Sequence, residues 1–435
     1  MEEAYLHFIW RHQYFDKTHL STSDGIQLAI ETAGNSNPNS GPDFLQAKVR
    51  MGNLEIAGHI EIHIKSSDWY RHGHENDAAY NPVVLHVVYE NDAEAQREDG
   101  SLIPQLELKS RLDEMPLWKY YQWIQDQQWI PCAQEVRNWD RQKAAWWLTR
   151  LTAERMELKW NRVRNEMKAG KELEQISWEI LARAFGGTVN REAFQSLAER
   201  IGWKKILQLS QRSTLELEAV LFGVSGLIPD EIDSFYLREL KTTWVKYQSM
   251  WNLESMNGVE WRFSRMRPAG FPTIRIAQLC QLLFDKKPLS FTSMDFRILD
   301  SSVSDYWKDH YHFGKRFSKS QSGKFSPKFN IHLRINAEVL IAQAVFYSSI
   351  SEQNEHLDVL EELPPEDNSV VRGFRQLGFS ASNALETQGL KHLKENYCEI
   401  KACWSCSIGQ HLLTSYFGNE KTHGTVPSVD GKARI

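Results

Sequence analysis

Histidines and carboxylates are concentrated in one short part of the sequence. Five of the 15 histidines lie within the 28 residues from His59 to His86. Imidazole and carboxylate groups are the usual protein ligands of divalent transition metals, and a bound ion offsets the repulsion between crowded carboxylates. The concentration therefore predicts a divalent-cation site, with a solvated polar face and hydrogen-bonded core histidines as the alternative. His86 lies inside an apolar run and fits the core alternative better.

The segment from His59 to Lys65 alternates between polar and apolar residues, as a strand with one buried face does. The apolar positions are Ile60, Ile62 and Ile64, and the polar positions are His59, Glu61, His63 and Lys65. Two further histidines, His72 and His74, follow shortly after this strand. One sheet face and the segment behind it therefore supply the candidate ligands.

Three of the five cysteines form a second candidate metal site. They are Cys398, Cys403 and Cys406. Their C-x4-C-x2-C spacing matches part of a plant-type iron–sulfur arrangement, and with His392 or His411 they would complete a tetrahedral zinc site. The alternative is free buried thiols, which is also how Cys132 and Cys280 are interpreted. The low, odd cysteine count argues against a disulfide framework.

Strand and helix patterns divide the chain into a β-rich part and a larger helical part. Apolar segments with turn signals at Gly52-Asn53 and Asp99-Gly100 predict a hairpin-rich sheet. The predicted strands are Phe44–Arg50, Leu54–Lys65, Val83–Glu90 and Leu102–Leu108, preceded by a helix at Ala4–Phe15. From Pro116 onward the spacing is helical, as in Arg141–Met167, Leu173–Ala184, Arg191–Ile201, Thr214–Phe222, Glu231–Trp251, Ile274–Phe284 and Ala337–Ser349.

The predicted fold class is α+β, with a β-rich, metal-binding domain at residues 1–112 and a larger all-α domain at residues 113–417. Residues 418–435 are predicted to be a disordered tail. The 435 residues are 41% apolar and 25% charged, which is typical of a globular protein. The longest apolar runs are too short to cross a bilayer and the first residues are acidic, so we expect a cytoplasmic protein without a membrane partner.

Charge is distributed unevenly along the chain. Residues 1–110 contain 8 Lys and Arg against 17 Asp and Glu, a net charge of -9, and the remainder contains 43 against 39, a net charge of +4. Basic and aromatic residues are mixed in Arg141–Lys171, Trp261–Arg275 and Gly314–Lys328. Because Lys and Arg contact phosphates and aromatic rings stack on unpaired bases, these stretches are predicted nucleic-acid surfaces. The alternatives are an amphipathic core helix and, at Gly314–Lys328, a mobile solvated loop.

Two motifs resemble the PD-(D/E)XK nucleases. Pro42-Asp43 is followed, across a hairpin, by Glu61-Ile62-His63, with His where Lys is usual. The resemblance implies that Asp43 and Glu61 hold magnesium or manganese, which polarises a phosphodiester and activates a water molecule. It implies that His63 orients or deprotonates this water, or that Lys65 does so if the register is two residues later.

The segment from Trp69 to His74 is similar to the tryptophan and double-histidine stretch of the very-short-patch repair endonucleases of the same superfamily. This implies that His72 or His74 assists the leaving oxygen or binds the metal. Together the two resemblances imply metal-dependent phosphodiester hydrolysis. The alternative is a non-catalytic nucleic-acid or protein interaction protein with a structural zinc site.

Five longer phrases resemble a bacterial family known as domain of unknown function 2851. They are GPDFLQAK, IEIHIKSSDWYRHGH, VVLHVVYEND, RPAGFPTIRIAQL and YCEIKACWSCSIG. The resemblance implies a shared fold and assigns no catalytic residue. It also implies that both halves of the chain belong together.

Overall fold

The chain combines an N-terminal sheet with a mostly helical remainder, which confirms the predicted mixture of α and β structure. The computed structural model describes residues 2–37, 40–113, 115–138, 140–231, 234–257, 260–264, 266–296, 301–348 and 358–417. The predicted tail at residues 418–435 lies outside these ranges. Backbone contacts divide the chain into a first unit, residues 1–147 and 393–435, and a second unit, residues 148–392. In the described part of the chain, no helix has the length and apolarity needed to span a bilayer.

The sheet of the first unit contains strands of both orientations. Its strands are β1 (Leu28–Thr32), β2 (Asn35–Ser36), β3 (Phe44–Met51), β4 (Leu54–Lys65), β5 (Val83–Glu90) and β6 (Gln105–Glu107). Their order is β1-β3-β4-β5-β6, and β2 also pairs with β3. The β1, β3 and β4 neighbours are antiparallel, whereas β4, β5 and β6 are parallel. Gly52, with φ 58°, closes the predicted hairpin between β3 and β4.

The parallel half of the sheet corrects the prediction that the sheet is built from hairpins. Residues 66–82, which include helix α2 (Asp68–Arg71), carry the chain back so that β5 can run parallel to β4. The nearly continuous apolar sequence of β5 is typical of a strand buried on both faces. The predicted turn at Asp99-Gly100 closes an isolated bridge between Gln96 and Leu102 instead of a hairpin within the sheet.

Helix α1 (Glu3–His12) confirms the predicted N-terminal helix and packs against β4. Its buried residues are Tyr5, Leu6, Phe8, Ile9 and Trp10. Glu3 and His7 are one turn apart, so their side chains lie next to each other on the helix surface. The helix therefore buries one face and presents an acid and a histidine on another.

The C-terminal part of the first unit packs against α1 and against helix α3 (Met115–Gln125). The Trp404 ring centroid lies 4.6 Å from that of Tyr5 and 5.4 Å from that of Tyr120. The hydroxyl of Tyr120 also donates to the carbonyl of Lys401 at 3.1 Å. These contacts place residues 113–147 and 393–417 with the sheet, whereas the sequence placed the boundary near residue 112.

The remaining described elements before the C-terminal segment are mostly helical, and all seven helices predicted by spacing are confirmed. The helices are α4 (Arg141–Lys168), α5 (Leu173–Gly186), α6 (Arg191–Ile201), α7 (Trp203–Ser210), α8 (Thr214–Ser225), α9 (Phe235–Trp251), α10 (Pro272–Lys286), α11 (Asp305–Asp309), α12 (Pro327–Leu333), α13 (Val339–Ser348), α14 (Asp358–Glu362), α15 (Ser369–Gln376) and α16 (Ala384–Leu393). A short ribbon consists of β7 (His310–His312) and β8 (Lys315–Arg316). The core of the second unit contains a large apolar cluster between these helices and a smaller one that includes Met156, Val339 and Leu360.

The segment Gly314–Lys328 is a mostly exposed loop, as predicted, but it is anchored at two points. Strand β8 pairs with β7, and Arg316 donates to Nε2 of His310 at 3.1 Å. Phe325 is buried, with its ring 6.0 Å from that of Phe185. Aromatic side chains thus fix the backbone of this segment, while its basic side chains stay exposed.

A buried carboxylate, Glu218 on α8, lies within the core of the second unit. Its Oε1 accepts a hydrogen bond from Ser304 at 2.8 Å and its Oε2 accepts one from Tyr236 at 3.0 Å. The Tyr236 hydroxyl accepts from the indole of Trp307 at 2.9 Å. Burial raises the pKa of Glu218 to about 7 from 4.5, although the two donors oppose the shift. The folded protein therefore keeps a proton on Glu218 that the unfolded chain releases.

We expect Glu218→Gln to remove a pH-dependent loss of stability. Between pH 4.5 and 7 the folded state binds the extra proton, so the stability of the wild type falls as the pH rises through this range. Relative to the wild type, the variant should gain about 3 kcal/mol on going from pH 4.5 to pH 8. Urea unfolding of both proteins across this range measures the difference. A difference that does not vary with pH would mean that Glu218 is ionised in the folded state.

Candidate metal centre

Asp43 and Glu61 are held next to each other at the point where β3 begins. The backbone N–H of Asp43 donates to Oε2 of Glu61 at 3.1 Å, and the N–H of Ile62 donates to Oδ2 of Asp43 at 3.0 Å. Each carboxylate thus accepts a backbone hydrogen bond from the other side of the β3–β4 pair. This reciprocal arrangement brings together the two acids that the sequence singled out.

Two histidines lie next to the side chain of Glu61, and a third contacts one of these two. Nε2 of His74 lies 3.3 Å from Oε1 of Glu61, and Nε2 of His63 lies 3.5 Å from the same oxygen. Nδ1 of His72 lies 3.1 Å from Nε2 of His63. His63, His72 and His74 each offer one nitrogen, and these three atoms lie within 4.8 Å of one another. We call Asp43, Glu61 and these three histidines, together with Glu3 and His7, the histidine centre.

Local backbone features place these side chains. The β3 strand has an irregularity between Phe44 and Ala47, where Gln46 adopts a positive φ of 58°. Such bulges redirect side chains and are common near functional sites. Gly73, with φ 75°, separates His72 and His74, and the left-handed conformation there costs glycine little.

Helix α1 contributes two residues that the sequence analysis missed. Nε2 of His7 lies 3.2 Å from Oδ2 of Asp43 and 3.7 Å from Oε1 of Glu3. Glu3, His7 and Asp43 form a second group whose ligand atoms lie within 4.8 Å of one another. The spacing of Glu3 and His7 marks them as helix neighbours, but nothing in the sequence indicates that α1 packs against β4. Asp43 belongs to this group and also contacts Glu61, so the two groups adjoin.

His86 is buried, as expected, but it contacts the centre. Its Nε2 lies 2.9 Å from Nδ1 of His63, and His63 itself is 1% exposed. Within the described residues, Nδ1 of His86 has no hydrogen-bond partner. If His63 carries its proton on Nδ1 and donates it to His86, its Nε2 lone pair points toward Glu61 and His72. A histidine whose other nitrogen is fixed in this way is preorganised as a ligand.

The electrostatics of the centre favour neutral histidines beside buried acids. Burial, with a smaller contribution from the neighbouring histidines, lowers the pKa of His63 to about 2. Burial likewise lowers the pKa of His86 to about 3. Burial raises the pKa of Glu61, and Asp43 adds to this effect, although a hydrogen bond from His74 opposes it. Neutral imidazole is the form that binds metals, and a cation would offset the cost of holding two buried carboxylates together.

His7 behaves differently from the buried histidines. Burial opposes its protonation, but the hydrogen bond to Asp43 and the nearby carboxylates outweigh burial and raise its pKa. His7 is thus the imidazole whose surroundings favour the charged form. It balances part of the negative charge of Asp43 and Glu3.

The structure separates Lys65 from the residues predicted to act with it. Its ammonium group is half exposed and lies 3.9 Å from Oδ2 of Asp92, a carboxylate that also binds Ser66 and Ser67. The alternative register, with Lys65 as the residue facing the water, is therefore not favoured by the geometry. His63, two residues earlier, is the member of this strand face that contacts Glu61.

The predicted cysteine ligands lie in the C-terminal part of the first unit. Cys403 and Cys406 are buried and Cys398 is half-buried. Neither predicted histidine partner is supported by its surroundings. His392 belongs to the second unit, where its Nε2 lies 3.4 Å from Glu154, and His411 is exposed on helix α17 (Ser407–Thr414).

A family model described as "Protein of unknown function (DUF2851)" matches residues 3–369. The chain belongs to this family. The match confirms the family resemblance, and the matched span includes the histidine centre from Glu3 to His86. The phrase YCEIKACWSCSIG lies beyond the matched span. No curated protein and no solved structure matches the chain.

The side chains of the histidine centre indicate which ions it could bind. The histidine centre offers oxygen and nitrogen ligands of the kind taken by manganese, magnesium and zinc. His72 is exposed, whereas His63 and His74 are buried. An external molecule can therefore approach the centre from the side of His72.

We expect manganese to stabilise the wild type and to lose this effect in Glu61→Gln. The amide can still accept from the N–H of Asp43, but it removes a charged ligand. Saturating manganese should raise the melting temperature of the wild type by roughly 5–10 °C. In the presence of a chelator, Glu61→Gln should have the higher melting temperature of the two, because it no longer buries a second carboxylate beside Asp43.

The matched control is Glu55→Gln, an exposed glutamate on the same strand, which should respond to manganese like the wild type. Thermal unfolding followed by circular dichroism measures the melting temperature of all three proteins with and without manganese. An equal manganese response in Glu61→Gln and the wild type would exclude Glu61 as a ligand.

Proposed function

We propose that the first unit is a metal-dependent phosphodiesterase that acts on nucleic acid. The observation that carries the proposal is the convergence of Asp43, Glu61 and His63, joined by His72 and His74 at distances of 3.0–3.5 Å. The motifs that resemble PD-(D/E)XK nucleases are thus adjacent in space as well as ordered in sequence. A bound magnesium or manganese ion would polarise the phosphodiester and lower the pKa of an attacking water.

Burial suggests a division of roles among the chain's own residues. Asp43 and Glu61 are the principal cation ligands, because they are carboxylates that share one end of the β3–β4 pair. His74 and His63 are buried beside Oε1 of Glu61 and act as further ligands or orient the water. His72 is exposed and hydrogen-bonded to His63, so it can exchange a proton with the substrate's leaving oxygen.

Arg71 is a candidate for binding the substrate phosphate. Its side chain is 68% exposed, it directly precedes His72, and its charge lies within electrostatic range of both Glu3 and His63. Asp68 holds one of its nitrogens at 3.0 Å. A guanidinium fixed at one edge can present its remaining donors to a phosphate. It would supply the local positive charge that the acidic first unit otherwise lacks.

The proposal predicts that purified protein cleaves DNA or RNA with magnesium or manganese, and that chelator stops cleavage. Asp43→Asn and Glu61→Gln should each lower the rate at least about 100-fold, because each removes a charged ligand while preserving the backbone hydrogen bond. Glu55→Gln serves as the control and should cleave at the wild-type rate. Single- and double-stranded DNA and RNA form the substrate panel.

Two results would contradict the proposal. The first is unchanged cleavage by both Asp43→Asn and Glu61→Gln, which would locate the activity elsewhere. The second is zinc retained by the histidine centre through dialysis, with no cleavage of any substrate under any metal. That outcome would favour the alternative of an interaction protein with a structural zinc site.

A separate prediction concerns Arg71. Arg71→Ala should raise KM about tenfold, because one phosphate contact is lost while the cation ligands remain. KM should not become more dependent on salt concentration. Lys109→Ala, which removes an exposed cation paired with Glu90, is the matched control. Steady-state cleavage of a short oligonucleotide gives both parameters. A loss confined to kcat would instead mean that Arg71 acts on the reaction and not on binding.

A further inference from the structure

We propose that Cys132, Cys398, Cys403 and Cys406 form one metal site of four thiolates in the first unit. The site is separate from the histidine centre and does not depend on the proposed hydrolysis. Thiolates are soft ligands that select zinc or an iron–sulfur cluster. The fourth ligand is therefore a cysteine that the sequence analysis assigned to packing, and not His392 or His411.

The backbone folds the three C-terminal cysteines into consecutive turns. A π-helical turn, Lys394–Cys398, ends at the first of them, and Lys401 then adopts a positive φ of 60° that reverses the chain. Two hydrogen bonds close this reversal, from the N–H of Ala402 to Tyr397 and from the N–H of Cys403 to Lys401, both at 2.8 Å. Non-glycine residues rarely adopt this conformation, and π-turns are frequent at functional sites.

The segment after the reversal is also tightly built. Cys403 starts a short 3-10 turn, and Cys406 caps helix α17. A side-chain carbon at Gly409 would lie 2.3 Å from the carbonyl oxygen of Cys403, so only glycine allows the helix to approach this closely. Burial raises the pKa of the Cys406 thiol, and the N–H groups of Ile408 and Gly409 oppose this rise. Such N–H donors stabilise a thiolate far better than a neutral thiol.

Cys132 joins these three from a distant part of the sequence. It lies in a turn after α3, where its carbonyl accepts from the N–H groups of Glu135 and Val136 at 3.2 and 3.0 Å. The sulfur of each of the four cysteines is within electrostatic range of the other three. Cys132 is 7% exposed, and Cys403 and Cys406 are each 6% exposed. Three buried sulfurs and the half-buried Cys398, from two chain segments, are thus close enough to influence one another.

Burial keeps these thiols protonated unless a cation is present. Burial, with a smaller contribution from Cys406, raises the pKa of Cys403 to about 12. Burial also raises the pKa of Cys132 and of Cys398 well above the usual range, again with help from the other sulfurs. A metal removes this penalty, because bound cysteines are deprotonated outright and their mutual repulsion is neutralised.

The sequence spacing of the cysteines favours an iron–sulfur cluster over one zinc ion, because C-x4-C-x2-C matches part of a plant-type arrangement. The four sulfurs are not among the groups of described residues whose ligand atoms all lie within 4.8 Å of one another. Thiolates around a single tetrahedral zinc are about 3.8 Å apart, given zinc–sulfur bonds of about 2.3 Å. A polynuclear cluster holds them further apart, since irons and sulfides lie between them.

The experiment is metal and sulfide analysis of full-length protein purified anaerobically, for the wild type, Cys132→Ala and Cys280→Ala. We expect iron, sulfide and visible absorbance in the wild type and in Cys280→Ala, whose buried thiol lies in the second unit. Cys132→Ala should lose them. Stoichiometric zinc that is lost in Cys132→Ala would support the four-thiolate site and overturn the choice of cluster.

Two further measurements keep the outcome decisive. If Cys132→Ala fails to fold, X-ray absorption at the metal edge of the wild type counts the ligands, and a first shell that includes a nitrogen would overturn the role of Cys132. Wild-type protein with neither metal, or a metal retained in folded Cys132→Ala, would also overturn the proposal. Glu61→Gln should keep the thiolate-bound metal, which separates this site from the histidine centre.

Discussion

Two hydrogen bonds, from the N–H of Asp43 to Glu61 and from the N–H of Ile62 to Asp43, are the constraint on which the histidine centre depends. Each carboxylate accepts a backbone N–H at the start of β3 or on β4, so the register of this strand pair fixes both acids side by side. Bringing two carboxylates together away from water is costly unless positive charge is supplied. The charged form of His7 offsets part of that cost, and a bound cation would offset more.

The rest of the first unit holds this pair in place. The parallel pairing of β4 with β5 sets Glu61 beside His86, and the crossover between them delivers His72 and His74. Helix α1 buries its aromatic face and turns Glu3 and His7 toward Asp43. The segment from residue 393 onward packs against α1 through Trp404, so a clamp at the four cysteines would stabilise the helix that borders the centre.

Local patterns in the sequence predicted much of this arrangement. The alternation from His59 to Lys65 identified β4 and its functional face, and 3.6-residue spacing identified the helices, because both signals come from neighbouring residues. For the same reason, the crowding of histidines pointed to a segment in which His63, His72 and His74 lie close together. The polar composition of Gly314–Lys328 indicated its exposed loop but not the burial of Phe325, which depends on distant contacts.

Features that depend on distant contacts could not be predicted. Glu3 and His7 join the histidine centre only because α1 packs against β4. Cys132 becomes a candidate ligand only through its proximity to the C-terminal cysteines. The parallel orientation of β5 follows from a crossover whose direction no local pattern reveals. Lys65 and His63 share a strand face, and the sequence does not show which of them contacts Glu61. In the structure Lys65 pairs with Asp92, and His63 contacts Glu61.

The central claim is that Asp43 and Glu61 jointly bind a cation beside the histidines. Crystals soaked in manganese and measured by anomalous diffraction test it most directly, because they locate the ion itself. The account predicts a peak about 2–2.3 Å from a carboxylate oxygen of each of the two acids, with a histidine nitrogen in the same shell. Manganese bound elsewhere, with Asp43 still accepting from the N–H of Ile62 and Glu61 from the N–H of Asp43, would contradict it.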